Sequence, residues 1–96
     1  MYGTVARVSV KPGMMEQLRQ YTHVYDNLKV PGQVATYVFQ MDANPNEAYL
    51  VAIFDSKEAY DRNADDPAQD ARFREMMQML ASEPEWHDGE VIYSLK

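Results

Sequence analysis

The chain contains no cysteine. Disulfides, thiolate nucleophiles and cysteine-held metals are therefore excluded, and a cytoplasmic protein is the expectation. Cations are scarce: 9 Lys and Arg stand against 15 Asp and Glu, a formal charge of −6. Nucleic acids and anionic membranes reward clustered cations, so neither is an expected partner. No apolar run approaches the roughly 20 residues that cross a bilayer. Met1 to Thr4 enters a strand-like pattern at once, without the basic and apolar regions of a signal peptide, and none is expected. Histidine occurs only at His23 and His87, without metal-ligand spacing, so no metal site is predicted.

What is present fits one domain of 96 residues, long enough to bury roughly 60–70% of its unfolded surface. Two apolar runs organise it. Val34–Met41 and Ala48–Phe54, joined by Asp42–Glu47, read as a β-hairpin. Both of its faces are apolar. Leu50, Ala52 and Phe54 point one way and Tyr49, Val51 and Ile53 the other; in the preceding strand Tyr37, Phe39 and Met41 oppose Val34, Thr36 and Val38.

Around this hairpin the periodicity changes several times. Tyr2–Val10 alternates as a strand and stops at Lys11-Pro12-Gly13. Met14, Leu18, Tyr21, Tyr25 and Leu28 form a helical stripe, predicting a helix from Met14 to Leu28 that ends before Pro31-Gly32. Asp55 with Glu58 three positions on resembles a capping box opening a short helix. Asp66 then caps, and Pro67 opens, a further helix whose stripe is Phe73, Met76, Met77 and Leu80, ending near Ser82–Pro84. Trp86–Leu95 is the last predicted strand, strongest from Glu90 onward. The order βαββαβ predicts an α+β, ferredoxin-like fold, an antiparallel sheet with its helices on one face.

Helices on one face leave the other in water, and here that face is apolar. Each Ile or Val buried there is worth about 1.5–3 kcal/mol, so a homodimer through the sheet face is expected.

Val8–Gly13, Pro31-Gly32 opening a strand, and Ala52–Tyr60 together resemble the antibiotic biosynthesis monooxygenase domain over essentially the whole chain. The resemblance implies a dimeric α/β barrel built from two ferredoxin-like subunits. It also implies oxidation of aromatic polyketides or quinols without metal or flavin in some members, and haem opening in others. Where the family usually carries Trp at the end of the third strand, this chain has Phe54. Asn63 stands where a helix His is frequent, and the first-strand position, Ala6 or Arg7, is not the Asn of haem-degrading relatives. Those departures argue against haem degradation.

The catalytic candidates are Asn63, Tyr60 and His87, and the expected pocket wall is Thr36, Phe54, Tyr60, Asn63 and Met76, between helices and sheet. Each has a plainer reading. Phe54 at a strand end packs a core, Asn63 ends a helix, and Met76 with its neighbouring methionines is adaptable core. His87 is a proton shuttle beside Asp88, or part of an exposed turn; neighbours on a strand face opposite ways and need not cooperate. Tyr37, Tyr49 and Tyr60 offer phenolic donors or pack with the hydroxyl at an edge. Arg7 pairs with an acid across the dimer, or binds an anionic substrate; Arg72 and Arg74 read as solvated. The resulting expectation is a cofactor-independent oxygenase acting on a small aromatic molecule, a phenol or quinol, with no cofactor. The alternative is a non-catalytic ligand-binding or interaction homodimer of the same fold.

Overall fold

The computed structural model describes residues 1–95. Four strands form one antiparallel sheet in the order β2-β3-β1-β4: β1 Tyr2–Ser9, β2 Gln33–Gln40, β3 Glu47–Phe54 and β4 Glu85–Glu90. The helices are α1 Met15–Tyr21, α2 Lys57–Ala64 and α3 Pro67–Met77. This is the ferredoxin-like α+β arrangement, with the longest apolar run, β3, inside the sheet beside β1. The hairpin turn is closed by Met41 N–H donating to the Glu47 carbonyl and Glu47 N–H to that of Asn44. An Asx turn at Asn44, whose Oδ1 accepts from Asn46 N–H at 3.0 Å, fixes it locally.

The two sheet faces separate as the alternation predicts. Register sets Ala6 opposite Leu50, Val8 opposite Ala48 and Thr4 opposite Ala52 on the helix side. There Val8, Val10, Leu18, Ala48 and Leu80 form a buried cluster, packed round by Met14, Met15, Met76, Met77 and Met79. Unbranched methionine fills the irregular gap between short helices and a twisted sheet. The other face carries Val5, Tyr37, Phe39, Tyr49, Val51 and Ile53 without cover, and Tyr37 and Phe39 are 57% and 52% exposed.

Several boundaries depart from expectation. The first helix stops at Tyr21, not Leu28, and tightens into a 3₁₀ turn over Thr22–Tyr25. The Thr22 hydroxyl donates to the Arg19 carbonyl at 2.6 Å, and β-branched Thr22 and Val24 favour leaving the α-helix. Ser56, not Asp55, caps α2, its Oγ accepting from Ala59 N–H at 3.1 Å. Asp66 caps α3 as expected, accepting from Ala68 N–H at 2.9 Å with Pro67 next. That helix ends at Met77 rather than near Ser82, because the following residues are drawn to the end of β1. Ala81 N–H donates to the Ser9 carbonyl, Lys11 N–H to that of Met79, and Val10 bridges Leu80.

The last strand is also displaced. It is Glu85–Glu90, not a strand strongest beyond Glu90. Val91 N–H still donates to the Met1 carbonyl, but past it no strand lies alongside among the described residues. Ile92, Tyr93 and Leu95 stand in solvent, Ile92 being 96% exposed.

Candidate functional site

The short helix α2 carries the polar chemistry to the sheet. Gly32, at φ +81°, lets the chain enter β2 beneath α2; a Cβ there would meet that of Ala59 at 2.5 Å. Ala59 is consequently buried, and Tyr60 and Asn63, three residues apart, share a side of the helix. The Tyr60 ring packs edge-on against Phe54, with centroids 5.6 Å apart, and against Tyr2 at 5.3 Å. Its hydroxyl donates to Asp88 Oδ1 at 2.8 Å.

Asp88 lies directly opposite Thr4, Thr4 opposite Ala52, and Ala52 opposite Thr36. One row across all four strands therefore reads hydroxyl, methyl, hydroxyl, carboxylate on the helix side. Phe54, Tyr2 and Tyr60 flank that row on one side, and Leu50, Ala6 and Trp86 on the other. Trp86 is held by Phe73 of α3, with centroids 5.8 Å apart. The side chains in the middle of the row, Ala52 and Thr4, are small, with aromatic rings to either side.

Thr4 is only 4% exposed, and its Oγ1 has no hydrogen-bond partner. A buried hydroxyl without a partner costs about 1–3 kcal/mol, a cost that a hydrogen bond to this group would remove. Burial pushes the Tyr60 phenol up to about 12, and the carboxylate of Asp88 adds to the rise. The Thr4 hydroxyl beside it opposes the rise without reaching hydrogen-bond geometry.

The sequence candidates fall in three places. Phe54 (2% exposed) and Tyr60 are in contact, Asn63 lies one turn further along α2, and Thr36 lies in the polar row. The Asn63 carbonyl accepts from Asp65 and Asp66 at the end of α2, while its side-chain amide makes no hydrogen bond among the described residues. Met76 packs against the Val8–Ala48 cluster. His87 points to the uncovered face. There, with Gly3, Val5, Val51, Ile53 and Gly89, it lines a shallow cavity of about 160 Å³. It is therefore separated by the sheet from Asp88 and Tyr60. A second cavity, about 260 Å³, opens beside the Tyr60 cluster at Met1, Tyr2, Ser56, Lys57 and Glu90.

Two arginines correct their sequence readings. Arg7 pairs within the chain, with Glu47 at 2.5 Å and Glu85 at 2.7 Å, because the register brings both acids beside it on the uncovered face. Arg72 is not simply solvated: its guanidinium lies 5.5 Å from the Tyr25 ring centroid and donates to Gln69. Tyr21 also ties α1 to α3, donating to the Arg72 carbonyl at 2.8 Å.

Thr4 and Asp88 were not singled out from sequence as a pair. The available signal was a lone hydroxyl among Ala6, Val8 and Val10; their juxtaposition is long-range register, which no local pattern encodes. Among the described residues no group of three or more His, Asp or Glu is arranged to hold a metal ion, and no helix is long and apolar enough to cross a membrane.

A sequence profile described as antibiotic biosynthesis monooxygenase matches residues 1–75. No curated protein matches the chain. Among solved structures, a candidate antibiotic biosynthesis monooxygenase from Chloroflexus aurantiacus superposes with a TM-score of 0.81 at 19% identity, covering 99% of this chain and 96% of its own. A conserved protein from Methanosarcina mazei gives 0.79 at 19% identity, covering 92% and 89%. A variant of SnoaB, a cofactor-independent oxygenase from Streptomyces nogalater, gives 0.78 at 17% identity, covering 98% and 95%. At these identities the structural likeness shows the shared fold.

Proposed function

The chain belongs to the antibiotic biosynthesis monooxygenase family, and on that premise we propose that it is a cofactor-independent monooxygenase for a small phenol or quinol. The substrate lies on the helix side of the sheet and itself supplies the electrons. For a quinol, a ring C–H becomes C–OH as the ring is oxidised to the quinone. One atom of dioxygen stays in the product and the other leaves as water.

The observation that carries this reading is the unpartnered Asn63 amide, on the same side of α2 as Tyr60 and one turn from the Phe54–Tyr60 aromatic contact. An amide N–H aimed at an oxygen that gains negative charge stabilises the reaction most in a site shielded from water. Tyr60 is less suited to that task, because its proton is already given to Asp88. Phe54, in the place where the family resemblance implies Trp, gives the pocket an apolar wall with no indole donor.

The uncovered face is assigned to a second copy of the chain, consistent with its six contiguous apolar residues and the exposed Ile92, Tyr93 and Leu95. A cytoplasmic location accompanies this reading, in keeping with the lack of cysteine.

Oxygen uptake with a panel of quinols and naphthols, in chelator-treated buffer, tests the activity. Uptake is expected, with kcat falling by about 10²-fold in Asn63→Ala, the size of losing one such donor. Binding without uptake would replace the oxygenase by the non-catalytic ligand-binding reading.

A further inference from the structure

Building on the ligand-binding half of that reading, we propose that Asp88 and Thr4, with Tyr60 as their present occupant, form a receptor for one neutral aromatic hydroxyl group. The site then takes rings whose hydroxyl is protonated and rejects their anions.

The geometry of the ladder places the two groups for this task. Thr4 and Asp88 are directly opposed on neighbouring strands, which brings their side chains within roughly 5 Å of one another. A single oxygen atom lying between them can donate to the carboxylate and accept from the threonine hydroxyl. A hydroxyl group does both. A phenolate satisfies Thr4 but sets its charge against Asp88, and an ether satisfies Thr4 but offers Asp88 no proton.

The Tyr60 side chain already displays the preferred ligand. It is a neutral aromatic hydroxyl that donates to Asp88 beside Thr4, yet leaves Thr4 Oγ1 unpartnered. An incoming hydroxyl that takes its place and also accepts from Thr4 makes one bond more. The surroundings suit a ring: Tyr2 and Phe54 on one side, Trp86 and Leu50 across the row.

The other charged or titratable groups nearby reinforce the choice. Glu90 on β4 lies opposite Tyr2 on the same face and also disfavours an anion. Lys57 of α2, 5.7 Å from the Tyr2 ring centroid, has its ammonium bound to Asp61 at 2.9 Å. His87 is on the other face of the sheet.

The probe is 4-nitrophenol, which ionises near neutral pH and reports its state by absorbance, with 4-nitroanisole as the ring without a proton to give. For the wild-type chain the bound nitrophenol should titrate at least about one unit above the free one, a tenfold preference for the neutral form. Asp88→Asn should abolish the preference. Tyr60→Phe, which keeps the ring packing but removes the competing hydroxyl, should bind nitrophenol more tightly and retain it. Equal binding of neutral and anionic forms, an unchanged preference in Asp88→Asn, or nitroanisole binding as well as nitrophenol would each overturn the proposal, as would no nitrophenol binding at all. Oxygen uptake is a separate readout. A neutral-hydroxyl preference without uptake leaves this receptor standing and removes the oxygenase; uptake without the preference does the reverse.

Discussion

The Tyr60 hydroxyl and Asp88 Oδ1, 2.8 Å apart, join α2 to the edge strand β4 across 28 positions of sequence. This bond has a pH signature. Tyr60 is lifted to about 12 by burial and then by Asp88, and Tyr21 to about 12 by burial and then by Glu75. An unfolded tyrosine titrates near ~10. The folded values lie above the unfolded one, so the stability these groups contribute is fully present below pH ~10 and is lost as pH rises through about 12. Denaturant unfolding at stepped pH should show stability falling across that window. Ultraviolet titration should show Tyr60 and Tyr21 ionising well above the ~10 of a free phenol. In Asp88→Asn, Tyr60 should move part of the way back, since burial persists, while Tyr21 stays.

The uncovered face gives a prediction about assembly. Val51 lies at its centre, paired with Tyr37 on one side and Val5 on the other. Val51→Lys sets a charge into the apolar surface that two copies would share. The proposed dimer should weaken by about 30-fold or more, the effect of losing a contact worth about 2 kcal/mol. Sedimentation velocity over a concentration series checks this, and the far-ultraviolet spectrum should stay unchanged.

Leu18 is the one buried residue of α1 and holds that seven-residue helix to Val8, Val10 and Ala48. Leu18→Ala should cost about 2–5 kcal/mol in urea unfolding, the range for emptying a packed leucine site. A loss well below that range would mean that the surrounding methionines collapse into the space.

Phe54 is 2% exposed and already in edge contact with Tyr60. Phe54→Trp adds volume where there is none to spare, and should destabilise by about 1–3 kcal/mol in the same assay.

Much of the fold was legible in sequence because it is written in periodicity. The hairpin of Val34–Met41 and Ala48–Phe54, apolar on both faces, required two covers, and the structure provides one of them, the helices. Pro67 after Asp66 marked a helix start with a mechanism attached. What failed was decided by partners distant in sequence. Val91–Leu95 alternates like a strand but, past the Val91 bond to Met1, meets no neighbouring strand among the described residues, and the turn after Met77 is drawn away by Ser9 and Lys11. The site was less legible for the same reason. Tyr60, Asn63 and Phe54 lie close in the chain and were found together, whereas Thr4 and Asp88 meet only through the β1–β4 register. Met76, grouped with them as a pocket residue, packs against the Val8–Ala48 cluster.

Turnover of a 1,4-naphthoquinol under ¹⁸O₂ by the chelator-treated protein tests the oxygenase claim most directly. One labelled oxygen should appear in the hydroxyquinone and the other in water, with the rate depressed in Asn63→Ala. A product carrying no label, or no product beyond the uncatalysed reaction, would contradict it.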